Sequence, residues 1–483
     1  MRDTTRQPLL GAICALAGPA VLSFLLPNFY HVNDAYFLGR AGPEATNAMG
    51  LFQIVSIANF GFILMLARGT QSLVARRFGA GNLAGCRSAL AQGLRLALLL
   101  LVPVGLLEWI FIPDMLRAMG GEGATVVAGT SYIRSLLLFL PALFVSPLVE
   151  FSFQGMGDTK TPFKLQLMAV SLNTALNWLL VLPHELHLAP GGGVLLDGWA
   201  VSEGLSVGEG VYAFGGLGVA GAAIATGTSR LLAALVGLRI LVRRKGMEGL
   251  LSRESFRPKS AIAKEILRVG WPSGSSTFLY AFVASCITPL IGRFGQDALG
   301  AYAIGFRGVE SLSFMVVLGF GTATGTVAAH AVGAGNLERA RRAGHVGAAL
   351  ASGAMLLMTV VFLTIPETLA GIFTNDPGIL EVAASYIAIM AFCQVPQALE
   401  MVYGDAMAGA GSSVRAAFIS IPGNILRIPI ALWLALGTTL GLDGVWYAIV
   451  ISAASKGLGM TILYCSGAWE QGMHKGRELI DTP

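Results

Sequence analysis

Apolar residues in this chain gather into long runs separated by short polar stretches, and the pattern continues from the first ten residues almost to the last twenty. Each run is long enough to cross about 30 Å of hydrocarbon as a helix, whereas strand-like alternation does not recur. The pattern predicts twelve spanning helices. They are 10–38, 46–72, 87–111, 125–152, 160–182 and 216–242, followed by 265–292, 303–329, 343–365, 379–406, 414–436 and 441–466. Pro19, Pro27, Pro141, Pro289, Pro396 and Pro429 fall inside these spans and each removes a helix hydrogen bond, so bends are expected there. Arg2 and Arg6 ahead of the first run, with Ala15-Leu16-Ala17 inside it, resemble the start of a cleavable signal. The run continues past Pro19 to Phe37, which predicts a retained first helix.

Composition sharpens this reading: of 483 residues 54% are hydrophobic and 12% charged, against roughly 25% charged in an ordinary soluble domain. The formal charge of +5 does not point to nucleic acid, because the cations are spread among short connections. Connections after even-numbered spans hold them: Arg76, Arg77 and Arg87; Lys160 and Lys164; Arg243, Arg244, Lys245, Arg253, Arg257 and Lys259; Arg339, Arg341 and Arg342; Arg415. Lysine and arginine accumulate on the cytoplasmic side, so both termini are expected in the cytoplasm and the protein in the plasma (inner) membrane. Cys14, Cys86, Cys286, Cys393 and Cys465 show no CxxC or metal spacing.

The chain also repeats itself. ARRFGAGNLAGCRSAL from Ala75 matches AHAVGAGNLERARRAG from Ala329 at a separation of 254 residues, and Gly155-Met156-Gly157 falls on Gly409-Ala410-Gly411 at the same separation. The expected fold is an all-α integral membrane protein with two parallel six-helix bundles related by a pseudo-two-fold axis along the membrane normal. The N-terminal bundle is expected at 1–242, a cytoplasmic linker at 243–264 and the C-terminal bundle at 265–483. Leu217-Gly218-Val219 matches the region of Gly444-Val445 at a separation of only 226, so the first half carries an insertion at about 184–211, expected as a solvated loop. It holds His184, Glu185, His187, Asp197, Glu203 and Glu209; HELH lacks the HExxH spacing that puts two histidines on one helical face.

Asp34 is the acid set most conspicuously within an apolar span, where a carboxylate costs about 2.5–3.5 kcal/mol on insertion scales and is by default a proton or cation site. Tyr30 and His31, four and three residues earlier, share its helical face, whereas Asn33 is expected to point elsewhere. Asn173 and Asn177 share a face of the fifth span, and Thr226 lies near the middle of the sixth. Their other reading is interhelical hydrogen bonding, at about 0.6–2 kcal/mol each. Asp34 maps on the second half to Ile287, so its chemistry belongs to the first half alone. Glu400, Asp405, Arg427 and Arg230 are candidates either to line a cleft or to pair between helices; Glu108 and Glu310 are expected at span ends. Aromatic residues such as Phe153 and Phe282 are candidates to wall a pocket, with packing alone as their other reading.

YxxxD and GRAG at the end of the first span, GTQSLVARRFGAG after the second, GMGDTKTP before the fifth, LNxxLN within it, GVAGAAIAT in the sixth and GAGNLERARRAG in the second half together resemble the multidrug and toxic compound extrusion (MATE) family, nearly end to end. The resemblance implies twelve spans in two bundles around a central cleft, export of small organic cations in exchange for protons or sodium, and no cofactor. An acid in span one, with none in Ser275 to Ala284 of span seven, resembles the DinF-like branch. The family's coupling residues then fall on Tyr30, Asp34, Asn173, Asn177 and Thr226; His31, Glu400, Arg427, Phe153 and Phe282 are this chain's own candidates for a substrate cleft. Some relatives have aspartate where this chain has Asn177, which leaves one carboxylate rather than two. The expectation is a monomeric, proton-coupled antiporter, with sodium as the alternative ion. A flippase for lipid-linked sugars and a membrane-embedded enzyme are the competing readings; the scattered His31, His184, His187, His330, His345 and His474 show no catalytic cluster.

Overall fold

The computed structural model describes residues 4–41, 43–118, 122–188, 194–196, 199–202 and 210–472, and consists almost wholly of long helices. The first half contains α1 (Leu9–Ala41), α2 (Pro43–Gly79), α3 (Leu83–Ala118), α4 (Gly123–Leu137), α5 (Leu140–Gly155), α6 (Lys160–Val181) and α7 (Gly218–Val242). The second contains α8 (Ser260–Gly292), α9 (Gln296–Tyr302), α10 (Ser311–Gly333), α11 (Leu337–Thr364), α12 (Pro366–Gly371), α13 (Pro377–Met390), α14 (Gln394–Gly409), α15 (Ser413–Leu436) and α16 (Leu442–Cys465). The predicted spans each coincide with one of these helices or a joined set. The fourth span is the pair α4–α5, bent by 57° just ahead of Pro141. The tenth is α13–α14, with a 3₁₀ turn at Ala391–Cys393 before Pro396. A π-helical stretch, Ala303–Glu310, joins α9 to α10 in the eighth.

Among the described residues nine helices are long and apolar enough to cross a membrane, or ten with the bent pair counted as one. The other two spans are α2 and α6, of 37 and 22 residues. Both have crossing length and also carry buried polar groups: Gln71, Arg76 and Arg77 on α2, and Gln166, Asn173 and Asn177 on α6.

The insertion is not the solvated loop expected from its composition. Strands β1 (Pro183–Leu188), β2 (Val194–Leu196), β3 (Trp199–Ser202) and β4 (Gly210–Gly215) form an antiparallel sheet in the order β3-β2-β1-β4. Leu186 pairs with Leu196 on one side and Tyr212 on the other. Val, Tyr, Phe and Trp favour the extended backbone, and strands this short leave little periodicity to read. Its titratable side chains, from His184 to Glu209, lie outside the described set.

The halves meet where their sequences repeat. Both GAGNL stretches close a helix with a glycine at positive φ, Gly81 at 74° and Gly335 at 77°, as the left-handed C-cap requires. Asn82 and Asn336 then accept from the backbone N–H groups of Gly85 and Arg339 to start the following helices. The first glycine of each stretch lies against the other half. A Cβ on Gly79 would lie 2.2 Å from the His330 carbonyl oxygen, and one on Gly333 would lie 1.9 Å from that of Arg76. Arg76 and His330 are themselves 254 residues apart, so the contact is reciprocal. Two hydrogen bonds repeat the exchange: Ser72 Oγ donates to the Ala408 carbonyl at 2.6 Å, and Thr326 Oγ1 to that of Gln154 at 3.3 Å. His330 bonds the Gly155 carbonyl through Nε2 and Thr4 through Nδ1. The connection between halves is packed beneath the first bundle: Met247 and Leu250 enter its core, and Gln92 bonds the carbonyls of Ser255 and Arg257.

Candidate functional site

Three helices of the first half converge on Asp34, which is only 4% exposed. From α6, Asn177 Nδ2 donates to Asp34 Oδ1 at 2.6 Å. From α7, Thr226 Oγ1 donates to Asp34 Oδ2 at 3.4 Å, and Asn173 Nδ2 donates in turn to Thr226 Oγ1 at 3.0 Å. Asn33 belongs to this network, contrary to the single-face expectation: its Nδ2 donates to Asn173 Oδ1 at 2.9 Å. Adjacent helical positions differ by about 100° in direction, and a neighbouring helix lying between the two directions can meet both. Asn177 Oδ1 is buried without a hydrogen-bond partner beside the carboxylate. The site therefore offers neutral donors to an ionised Asp34 and oxygen acceptors to whatever cation or proton neutralises it.

Tyr30 is buried one turn below Asp34, and its hydroxyl makes no hydrogen bond to the carboxylate. The Arg230 guanidinium covers its ring at 4.4 Å. Arg230 also donates to Gln166 at 3.2 Å, Gln166 donates to Glu150 Oε2 at 2.7 Å, and Ser146 donates to Glu150 Oε1 at 2.8 Å. Glu150 is thus a second buried acid in this half, missed in sequence although it obeys the same rule as Asp34. The side chain of His31 lies outside the described residues.

The cleft candidates of the second half separate. Glu400 pairs with Lys456 at 2.8 Å and accepts from Ser420 at 3.0 Å, while Lys456 also donates to Asn424. Arg427 is half-buried and reaches Ser452 at 3.4 Å. Phe282 is exposed, but Phe153 is fully buried in the first bundle's core with Arg244 over its ring at 4.5 Å, so it lines no cleft. Its position just before the turn at Gly155-Met156-Gly157 places it in packing. Glu310 is not at an interface: it is buried and accepts from the Tyr386 hydroxyl at 2.6 Å. Glu108 is likewise buried.

The repeat explains these differences. Asn173 and Thr226 correspond to Arg427 and Ser452, Arg230 to Lys456, and Asp34 to Ile287, at separations of 254, 226, 226 and 253. The frame of the site is kept in both halves, with a fixed cation where the first half has Asn173 and an apolar residue in place of its acid.

A profile of the MatE family matches residues 19–179 and 272–433, one copy in each half. The "Probable multidrug resistance protein NorM" of Pseudomonas aeruginosa is 28% identical over 463 residues, covering 94% of this chain and 89% of its own length. Multidrug and toxin extrusion protein 2 of Mus musculus is 24% identical over 486 residues, covering 98% of this chain and 78% of its own. A crystal structure of MATE in complex with MaL6 superposes with a TM-score of 0.85 at 22% identity, covering 97% of this chain and 99% of that one. An outward-facing multidrug resistance MATE family transporter of the MOP superfamily superposes at 0.83, covering 97% and 98%, again at 22% identity.

Proposed function

The chain belongs to the MatE family of multidrug and toxin extrusion transporters, and on that premise we propose that it is a proton-coupled antiporter exporting small cationic amphipathic compounds through Asp34. The observation that carries the coupling role is the buried Asp34 carboxylate held by Asn177 and Thr226. A buried carboxylate beside neutral donors is neutralised by a proton or by a bound cation, and the two compete. Proton uptake at Asp34 from outside then weakens binding of the organic cation and favours rearrangement of the first bundle. Release of the proton inside restores the cation-binding state.

The acid in α1, together with the absence of one in Ser275 to Ala284 of α8, supports the DinF-like branch, although the named relatives are NorM-type. The cation-rich connections support cytoplasmic termini. With that orientation, the inter-half contacts at Ser72, Thr326 and His330 join the halves on the cytoplasmic side. The end of α7 at Val242 and the start of α8 at Ser260 support a boundary between bundles in the expected linker 243–264.

Proteoliposomes given either a proton or a sodium gradient test the assignment, with export of a fluorescent organic cation as the readout. Proton-driven movement that is lost in Asp34→Asn is the expected result. Sodium-driven movement would change the ion, and equal proton-driven rates in both proteins would remove Asp34 from the mechanism.

A further inference from the structure

Arg68 and Asp405 form an ion pair across the two halves, α2 to α14, at 3.3 Å. A second inter-half pair, Arg76 with Glu265, lies two turns further along α2 at 3.1 Å. The two differ in kind. Arg76 and Glu265 are 2% and 4% exposed, and since Glu265 also meets Arg268 at 3.5 Å, disruption would strand the buried Arg76 charge. Arg68 and Asp405 are 13% and 20% exposed, so water reaches both. Arg68 is eleven residues from the end of α2, roughly 16 Å along the helix axis at 1.5 Å per residue, deep within the bundle.

Around the Arg68–Asp405 pair lies a cavity of about 20 Å³ lined by Gln71, Ser72, Thr322 and Thr326 as well as the pair itself. It has room for a water molecule and none for an organic cation while the halves stay together. Arg68 has a second anchor within its own half, the Phe151 ring at 5.2 Å, and a long bond of 3.5 Å to Thr322. Asp405 has no such alternative: Arg68 is the cation it meets among the described residues. If the halves part, Arg68 keeps Phe151 and Asp405 is left as an uncompensated carboxylate facing the opened floor.

We infer that Asp405 is a recognition carboxylate for the organic cation at the floor of the cleft, and that Arg68 is a built-in competitor holding its place while the halves are closed. Cargo and Arg68 exclude one another at Asp405, so occupation by cargo loosens the inter-half seam above Arg76–Glu265. The inference rests on the export of organic cations proposed above. It adds a residue that meets the cargo and a link between cargo and the seam.

Binding of tetraphenylphosphonium to purified protein, measured by calorimetry, tests it with the variants Arg68→Gln, Asp405→Asn and the double variant. Arg68→Gln should bind the probe at least several-fold more tightly, Asp405→Asn at least tenfold more weakly, and the double variant should match Asp405→Asn. A structural ion pair predicts the contrary, equal losses in both single variants, and that result would overturn the inference. Labelling of Ser72→Cys by a maleimide supplies a readout independent of affinity, since Ser72 is buried between the halves. The probe should speed labelling when Asp405 is present and leave it unchanged in Asp405→Asn; equal acceleration in both backgrounds also overturns it. Absence of probe binding to the unaltered protein would instead count against the export of organic cations itself.

Discussion

At the residue scale the proposed coupling rests on one buried carboxylate, Asp34. Asp34 was legible because an acid within an apolar run is too costly to persist without a role, and its partners on α6 were legible because positions four apart share a face. Asn33 was not, since one helical face cannot reveal which neighbour lies between two adjacent directions. Lys456 and Glu150 were missed for a different reason: each sits in a span whose apolar average conceals one charged residue, and its partner is on another helix. Asn177→Ala should leave Asp34 with Thr226 alone and slow proton-driven export while sparing the fold. A hydrogen bond to a charged group contributes about 1.5–3 kcal/mol, so a rate loss of tenfold or more is expected in the proteoliposome assay. An unchanged rate would reduce Asn177 to interhelical packing.

The helices themselves were legible in their number and order, because length and apolarity are what a bilayer selects. α2 and α6 were legible as apolar runs despite the polar residues they carry; the sheet in the insertion was not legible, having strands of only three to six residues. The seam between α2 and α10 depends on the absence of side chains. Gly333→Val should force a methyl-bearing carbon into the Arg76 carbonyl and destabilise the protein by about 1–3 kcal/mol, read as a lower melting temperature in detergent. The turn before α6 has its own pH signature. Burial raises the Asp158 carboxyl, but Arg244 and Thr161 outweigh it and hold Asp158 below the usual carboxylate value. A depressed folded value contributes stability above the unfolded pKa of about 3.9 and loses it as pH falls through the folded value. Asp158→Asn should therefore lower the melting temperature at neutral pH and flatten its decline below about pH 4; parallel melting curves for the two proteins would contradict that role.

The whole molecule is a repeat in which symmetry keeps the frame and divergence assigns the work. The 254-residue separation in GAGNL foretold two repeated halves, which meet through reciprocal glycine contacts, and the mismatch of Asp34 with Ile287 foretold that the halves differ in sequence at that position. What the repeat could not foretell is how the second half fills its version of the site, because Arg427, Lys456 and Glu400 find partners only once three helices are packed together. The proposed antiporter has its titrating centre at Asp34 in the first bundle, where a proton and a cargo cation oppose each other. The most direct test is the proton count on cargo binding, obtained by calorimetry of tetraphenylphosphonium binding in buffers of different ionisation enthalpy. Protons should be released as the intact protein binds the cation, and Asp34→Asn should bind it without release. Equal release from both proteins would contradict Asp34 as the site where proton and cargo compete.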